Sequence, residues 1–169
     1  SLGTTAAIAS LSVTGGNLSG RVSANGKIGP IKVLKNSAGQ GGTIANAVIS
    51  SNAVVSVLAD FDFVNSMLLS GADLGADGAI GGTLADADRF VAGSISNVTV
   101  RRNLTSSVIG SGFDPLEGDA NNDNDAVIGG NSSELKSLTV GGIASADSLF
   151  AAGAFKGTVK INNVTVVPK

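Results

Sequence analysis

The sequence predicts an all-β fold: a parallel β-helix, or β-solenoid, with coils of about 20 residues and a C-terminal capping hairpin. The first observation is a repeated phrase, because residues 80–95 return at residues 140–155 with an offset of sixty. The second is that residues 94–100 return at residues 134–140, forty positions later. A third, shorter pattern, residues 8–13, returns at residues 28–33, twenty positions later. The three offsets share one unit of twenty, which is typical of stacked repeats.

The composition favours thin layers of aliphatic side chains. Of the 169 residues, 43% are hydrophobic but only 4% are aromatic, and the 24 glycines suit tight corners. The length fits a single β-solenoid domain, residues 1–169, with a continuous core. A β-sandwich is the alternative architecture, but sandwiches seldom repeat their own sequence. The sixty-residue repeat therefore favours the solenoid.

Two strand patterns define the unit. The first strand follows Ile-x-x-Leu-x-Val, in which alternating side chains face inward. Its instances are Ile8/Leu11/Val13, Ile28/Ile31/Val33, Val54/Val57, Ile95/Val98/Val100, Leu135/Leu138/Val140 and Phe155/Val159/Ile161. The second strand begins with serine and reaches a glycine five residues later, at residues 66–71, 107–112 and 148–153. Stacking these units predicts about seven or eight coils with the first-strand residues buried.

The two ends of such a stack need covering, because an unpaired strand exposes N–H and C=O groups. Residues 159–166 predict a hairpin whose Asn162-Asn163 turn suits positive φ angles, and Pro168 follows it. The apolar residues 2–8 are expected to add a strand to their own first coil or to the last coil of a neighbouring copy. Head-to-tail addition does not close on itself, so it predicts a filament or a surface layer. Flanking solenoid coils are the alternative partner, since a start at Ser1 without methionine fits a mature protein or a fragment alike.

Charge and residue content exclude several classes of function. The formal net charge is −2 without a basic block, which argues against nucleic acid as a partner. Cysteine is absent, so disulfides and thiolate metal sites are excluded. No run of eighteen apolar residues occurs, and membrane insertion is not expected. A charged fraction of only 14%, with many Gly, Ser, Asn and Thr residues, predicts an extracellular or cell-surface location.

An acidic loop interrupts the period between residues 110 and 130 and has the spacing of half a calcium loop. Oxygen ligands at alternate positions can converge on one Ca²⁺ ion. The predicted ligands are Asp119, Asn121, Asp123 and Asp125. The loop departs from an EF-hand, because Asn124 replaces the invariant glycine and Gly130 replaces the bidentate glutamate. A solvated acidic loop without metal is the alternative.

The residue inventory predicts a protein that is not an enzyme. His, Cys, Trp and Tyr are absent, which removes the usual proton shuttle, the thiolate nucleophile and the aromatic platform for sugars. The leading rival is a polysaccharide-degrading hydrolase or lyase, and the third class is calcium-dependent polysaccharide binding without turnover. The candidate groups for degradation are Asp86, Asp88, Asp147, Arg101 and Arg102.

Five Asn-x-Ser/Thr sequons make N-glycosylation a candidate modification. They are at Asn17, Asn97, Asn103, Asn131 and Asn163. A chain rich in Asn, Ser and Thr contains several such triplets by chance, so unmodified asparagines are the alternative.

The repeated phrases resemble the Gly-rich β-helix repeats of very large secreted bacterial proteins, especially of the planctomycete type. The resemblance rests on residues 93–100, 137–142 and 146–153, and it extends over most of the chain after Ile8. Residues 37–64 depart from the pattern and leave the number of coils there open. Such repeats imply a surface or matrix component. The resemblance therefore predicts an extracellular structural or adhesive module, with a polysaccharide-binding or polysaccharide-degrading protein as the alternative.

Overall fold

The computed structural model describes residues 8–116 and 125–166 and folds them mostly into strands. The strands are β1 Leu11–Thr14, β2 Leu18–Leu34, β3 Ile44–Ala59, β4 Phe63–Val64, β5 Met67–Ser70, β6 Ala72–Asp73, β7 Arg89–Phe90, β8 Ser94–Val100, β9 Leu104–Thr105, β10 Val108–Ser111, β11 Phe113–Asp114, β12 Ala126–Val127, β13 Glu134–Leu135, β14 Leu138–Val140, β15 Leu149–Ala152, β16 Ala154–Phe155, β17 Val159–Ile161 and β18 Val164–Val166. Two 3₁₀ helices, Leu84–Asp86 and Gly130–Ser132, lie in loops. Neither they nor any other described segment forms an apolar helix long enough to cross a membrane.

Fourteen strands form one mixed sheet that curls into a half-barrel. Its main path runs β15-β10-β5-β3-β8-β14-β17-β18, and β1, β2, β4, β9, β13 and β16 pair beside this path. The long strand β3 is central, because β2 pairs along one of its edges while β4, β5 and β8 share the other. The four remaining strands form two antiparallel ribbons, β6–β7 and β11–β12.

The predicted parallel β-helix is wrong. The sheet is not parallel throughout, because β17 and β18 pair antiparallel at its edge. The two ribbons, which lie outside this sheet, are antiparallel as well. Nor does the chain return every twenty residues. Leu11 pairs with Ile31, which is the expected offset. Ile28 pairs with Val54, and Val54 with Ile95, both at longer offsets than twenty. The ribbons and the long strands β2 and β3 take up residues that the prediction assigned to seven or eight regular coils. The result is one curled sheet with two separate antiparallel ribbons.

The repeats nevertheless mark strands that lie side by side. β14 pairs in parallel with β8, and Leu138 lies opposite Val98 at the forty-residue offset of the repeat. Most of the predicted inward residues are 0–1% exposed: Ile28, Ile31, Val33, Val54, Val57, Ile95, Val98, Val100, Leu135, Leu138 and Val140. Burying each such side chain contributes about 1.5–3 kcal/mol. Ile8, Leu11 and Val13 are half-buried, because they lie at the border of this core.

The predicted C-terminal hairpin is present as the β17–β18 pair, with Val159 opposite Val166. Its turn residues Asn162 and Asn163 have φ angles of 49° and 61°. Asparagine tolerates this left-handed region better than most residues, and a two-residue turn of this kind suits the twist of an antiparallel hairpin. The hairpin therefore forms the C-terminal edge of the half-barrel.

Candidate functional site

Three of the four predicted calcium ligands, Asp119, Asn121 and Asp123, lie outside the described residues. The fourth, Asp125, directly precedes β12. Within residues 8–116 and 125–166, no group of three or more acidic side chains is placed to hold a metal ion. The calcium site therefore stays a prediction.

A cavity of about 260 Å³ at the two ribbons holds two carboxylates, Asp88 and Asp114. Asp88 directly precedes β7, and Asp114 is the last residue of β11, so each ribbon supplies one of them. The rest of the lining is Ile80, Gly81, Gly82, Ala87, Phe90, Pro115 and Leu116. The cavity therefore joins carboxylates that are distant in sequence.

Burial raises the pKa of both carboxyl groups above the ordinary value. For Asp88, a hydrogen bond of 2.6 Å from the Gly81 N–H to Oδ2 opposes the increase, and the carboxylates of Asp77 and Asp114 add to it. For Asp114, the second cause is the carboxylate of Asp125. Carboxyl groups with raised pKa values in a cavity are candidates for proton transfer.

The structure does not gather the carboxylates predicted for polysaccharide degradation. Asp88 lines the cavity, and Asp86 is on the neighbouring 3₁₀ helix. Asp147 lies instead beside Ser106, whose hydroxyl donates to Asp147 Oδ2 at 2.7 Å. The cavity partner of Asp88 is Asp114, which belongs to the acidic stretch of the sequence but is not among the groups predicted for degradation. Its place in a repeated Ser-Gly-x-Asp phrase was the available signal.

The two predicted arginines are held in ion pairs. Arg101 Nη1 lies 3.0 Å from Asp60 Oδ1, and Arg102 Nε lies 3.8 Å from Asp62 Oδ1. The Arg102 guanidinium also lies over the Phe61 ring, 5.3 Å from its centroid. Because both arginine side chains are more than half exposed, each pair contributes only about 0–1 kcal/mol. Both guanidinium groups nevertheless have structural partners.

A groove of about 260 Å³, which we call the amide groove, opens beside the starts of β5 and β10. Its lining is Asn46, Ala47, Val48, Asn65, Ser66, Met67, Ser106 and Val108. Asn46, Asn65 and Ser106 have φ angles of 53°, 44° and 47°, and all three side chains are exposed. The backbone therefore adopts a similar positive-φ conformation at each of these three residues. The sequence pattern does not predict this groove, although Asn65 and Ser106 each precede the serine that begins a predicted second strand.

Buried serines hold the wall of the amide groove. Ser66 Oγ accepts the Ala47 N–H at 2.9 Å and donates to the Val64 carbonyl at 2.7 Å. Ser107 Oγ accepts the Ser66 N–H at 3.1 Å and donates to the Thr105 carbonyl at 2.7 Å. Both serines are at most 2% exposed, so these bonds satisfy backbone groups that water cannot reach.

The five candidate glycosylation sites differ in accessibility. Asn17, Asn97, Asn131 and Asn163 are exposed, whereas Asn103 is half-buried. The Oδ1 atom of Asn103 accepts the Ile143 N–H at 3.1 Å, which fixes its amide against the neighbouring strand segment. Four of the five therefore present an accessible amide, and their glycosylation stays a prediction.

Half-buried apolar side chains border the main core, and they fall into two sets: one at Ile8 and on β1 and β2, the other on β15, β16 and β17. The N-terminal set is Ile8, Leu11, Val13, Leu18, Val22 and Ala24, and the C-terminal set is Phe150, Ala152, Phe155 and Ile161. Among the described residues, β1, β15 and β16 each have one partner strand, so apolar side chains of both sets lie at edges of the sheet. No protein-family model, curated protein or solved structure matches this chain.

Proposed function

We propose that this chain is an extracellular or cell-surface structural or adhesive module that assembles end to end with copies of itself. The observation that carries the proposal is that the two half-buried apolar sets include strands with a partner on one side only among the described residues: β1 in the first set, and β15 and β16 in the second. Interior strands bury the same kind of side chain completely, since Ile49, Val57 and Val98 are 0% exposed. A further strand layer at each end would bury apolar surface at about 25 cal/mol per Å².

The C-terminal edge is open to further pairing. β18 pairs with β17 on one side, and no described strand pairs with its other side. Val164 and Val166 on this strand are 63% and 37% exposed. Beside a two-residue turn the first residue pair is hydrogen bonded, and the pairs then alternate along an antiparallel hairpin. Thr165, opposite Lys160, therefore directs its N–H and C=O groups away from β17.

The N-terminal edge offers a second unpaired stretch. β1 pairs with residues 31–34 of β2, and Ile8 forms a bridge to Ile28. Between residues 18 and 27, the only described strand that pairs with β2 is β3. Joining β18 of one copy to β2 of the next is a head-to-tail contact, which does not close on itself and so builds a filament or layer.

The test is sedimentation velocity of the full chain over a range of concentrations. We expect the wild type to form species that grow with concentration. Thr165→Pro removes the outward N–H while leaving the β17–β18 bonds in place, so this variant should stay monomeric. Thr165→Ala keeps the N–H and should assemble like the wild type. A wild type that is monomeric at high concentration, or a proline variant that assembles equally well, contradicts the proposal.

The second candidate function is polysaccharide degradation, which the shared cavity of Asp88 and Asp114 favours. We propose instead that the chain is not an enzyme. Incubation with cellulose, glucomannan, alginate and polygalacturonate should release no new reducing or unsaturated ends. Turnover that Asp88→Asn or Asp114→Asn abolishes would establish the enzyme and refute this part of the proposal.

A further inference from the structure

We infer that the amide groove binds a neutral polysaccharide, an interaction that does not depend on assembly. The polar edge of the groove has three exposed side chains, Asn46, Asn65 and Ser106, and the exposed Asp147 beside Ser106 continues this column. Neighbours in this column are hydrogen bonded in pairs. Asn65 Nδ2 donates to Asn46 Oδ1 at 2.7 Å, and Ser106 Oγ donates to Asp147 Oδ2 at 2.7 Å.

These bonds orient the column and leave it with unused hydrogen-bonding capacity. Each asparagine amide has two N–H donors and an oxygen with two lone pairs, and the bond between Asn46 and Asn65 uses one donor and one acceptor. The backbone is also fixed, because the Asn65 N–H donates to the Thr105 carbonyl and the Ser106 N–H donates to Ser145 Oγ, both at 3.0 Å. A ligand would therefore meet polar groups already held in place, which lowers the entropic cost of binding.

An apolar row runs beside the polar column. Val48, Met67, Val108 and Leu149 lie opposite one another in register on β3, β5, β10 and β15. A second cavity of about 260 Å³ shares Val48 and Met67 and extends the groove to Ile80. Because neighbouring strands are about 4.8 Å apart, Asn46 with Val48 and Asn65 with Met67 repeat an exposed polar group beside a half-buried apolar group at that interval.

This pairing of groups fits a chain of sugars. Sugar rings carry hydroxyl groups at their edges and C–H groups on their faces, so one ligand can contact both rows. None of the described residues that line the amide groove is cationic, and Asp147 adds a carboxylate to the column. The Arg21 guanidinium, on β2, donates to the Gly75 and Ala76 carbonyls. An acidic polysaccharide would meet uncompensated negative charge, which favours a neutral one.

The test is affinity electrophoresis of the full chain in gels containing hydroxyethyl cellulose, glucomannan, alginate or polygalacturonate. The groove variant is Asn46→Gly with Asn65→Gly, because glycine keeps the positive φ angles while removing both amides. The matched control is Asn162→Gly with Asn163→Gly, which makes the same change in the β17–β18 turn. Met67→Ala removes apolar contact without touching either amide.

We expect at least one neutral polymer to retard the wild type and the control, with about tenfold weaker binding by the groove variant. Thermal unfolding checks that each variant is folded. If the groove variant does not fold, Met67→Ala decides by the same comparison. The inference is overturned if no neutral polymer retards the wild type, if only the acidic polymers do, or if the groove variants bind as tightly as the control.

Discussion

At the scale of single residues, burial and hydrogen bonding shift the pKa values of three aspartates in opposite directions. Asp88 and Asp114 lie in one cavity, and burial raises the pKa of each. Asp147 is on the surface, where hydrogen bonds from Ser145 and Ser106 lower its pKa. An aspartate carboxyl group is thus harder to ionise in the cavity at the ribbons and easier to ionise beside the amide groove.

Asp88→Asn should raise the thermal midpoint at neutral pH. Because the folded-state pKa of Asp88 is raised above 3.8, its contribution to stability is present below pH 3.8 and is lost as the pH rises through the folded pKa. Removing the charge restores that contribution at pH 7. Burial is partial, so we expect an increase of about 1–3 °C.

The measurement is thermal unfolding of Asp88→Asn and the wild type at pH 7 and pH 3. The two midpoints should converge at pH 3, where the wild-type carboxyl group is protonated. Asp86→Asn, on the adjacent 3₁₀ helix, makes the same charge change outside the cavity lining. An equal increase in both variants would show that net charge, and not the cavity, is responsible.

At the scale of elements, serine hydroxyls supplement the ladder between strands. The chain bends just before β5 and β10, at Ser66 and Ser107. There the Ala47 N–H donates to Ser66 Oγ, and the Ser66 N–H donates to Ser107 Oγ. The hydroxyls of Ser66 and Ser107 in turn donate to carbonyl groups two residues earlier. Each bend therefore stays hydrogen bonded although it lies outside the regular β pairing.

Ser66→Ala should destabilise the fold by about 1–3 kcal/mol, because it leaves the buried Ala47 N–H without its partner. Chemical denaturation would measure the change in the free energy of unfolding. Ser23→Ala is the control, since Ser23 is exposed on β2 and its loss should change stability by less than about 0.5 kcal/mol. Equal effects of the two changes would contradict a role for the serine hydroxyl in the bend.

At the scale of the whole molecule, the described strands of the half-barrel differ in how many neighbours they have: β3 has partners along both edges, whereas β1, β15, β16 and β18 have one partner each. Core-facing side chains of the middle strands are fully buried, whereas apolar side chains of the outer strands are half-buried and Val164 and Val166 of β18 are exposed. An unpaired strand edge beside apolar surface favours further strand addition. The proposed end-to-end assembly follows from this difference between the middle and the ends.

Thermal stability of the whole molecule also tests the predicted calcium site. Its predicted ligands are Asp119, Asn121, Asp123 and Asp125. A ligand that binds only the folded state raises its stability, by about 2.7 kcal/mol when the ligand is at 100 times its dissociation constant. We therefore expect a higher thermal midpoint in millimolar Ca²⁺ than in chelator, and loss of this difference in Asp119→Ala with Asp123→Ala. An unchanged wild-type midpoint would argue for the solvated loop.

The sequence alone determined the strand content, the inward-facing residues and the C-terminal turn. These features depend on neighbours a few residues apart: alternation sets which side chains face the core, and Asn162-Asn163 suits a two-residue turn. The forty-residue repeat also identified strands that pair, as Val98 and Leu138 do. Similar sequences occupy similar places in adjacent strands, so a repeat carries information on pairing.

Only the tertiary structure decided the curl of the sheet and the positions of its sites. Curl accumulates from the twist of each strand pair, including the long strands β2 and β3, which the repeat did not predict. The cavity joins Asp88 to Asp114, and the amide groove joins Asn46 to Ser106, through parallel pairing and inserted ribbons. No local sequence pattern encodes such a contact, because the contact depends on how many residues separate one strand from the strand that pairs with it.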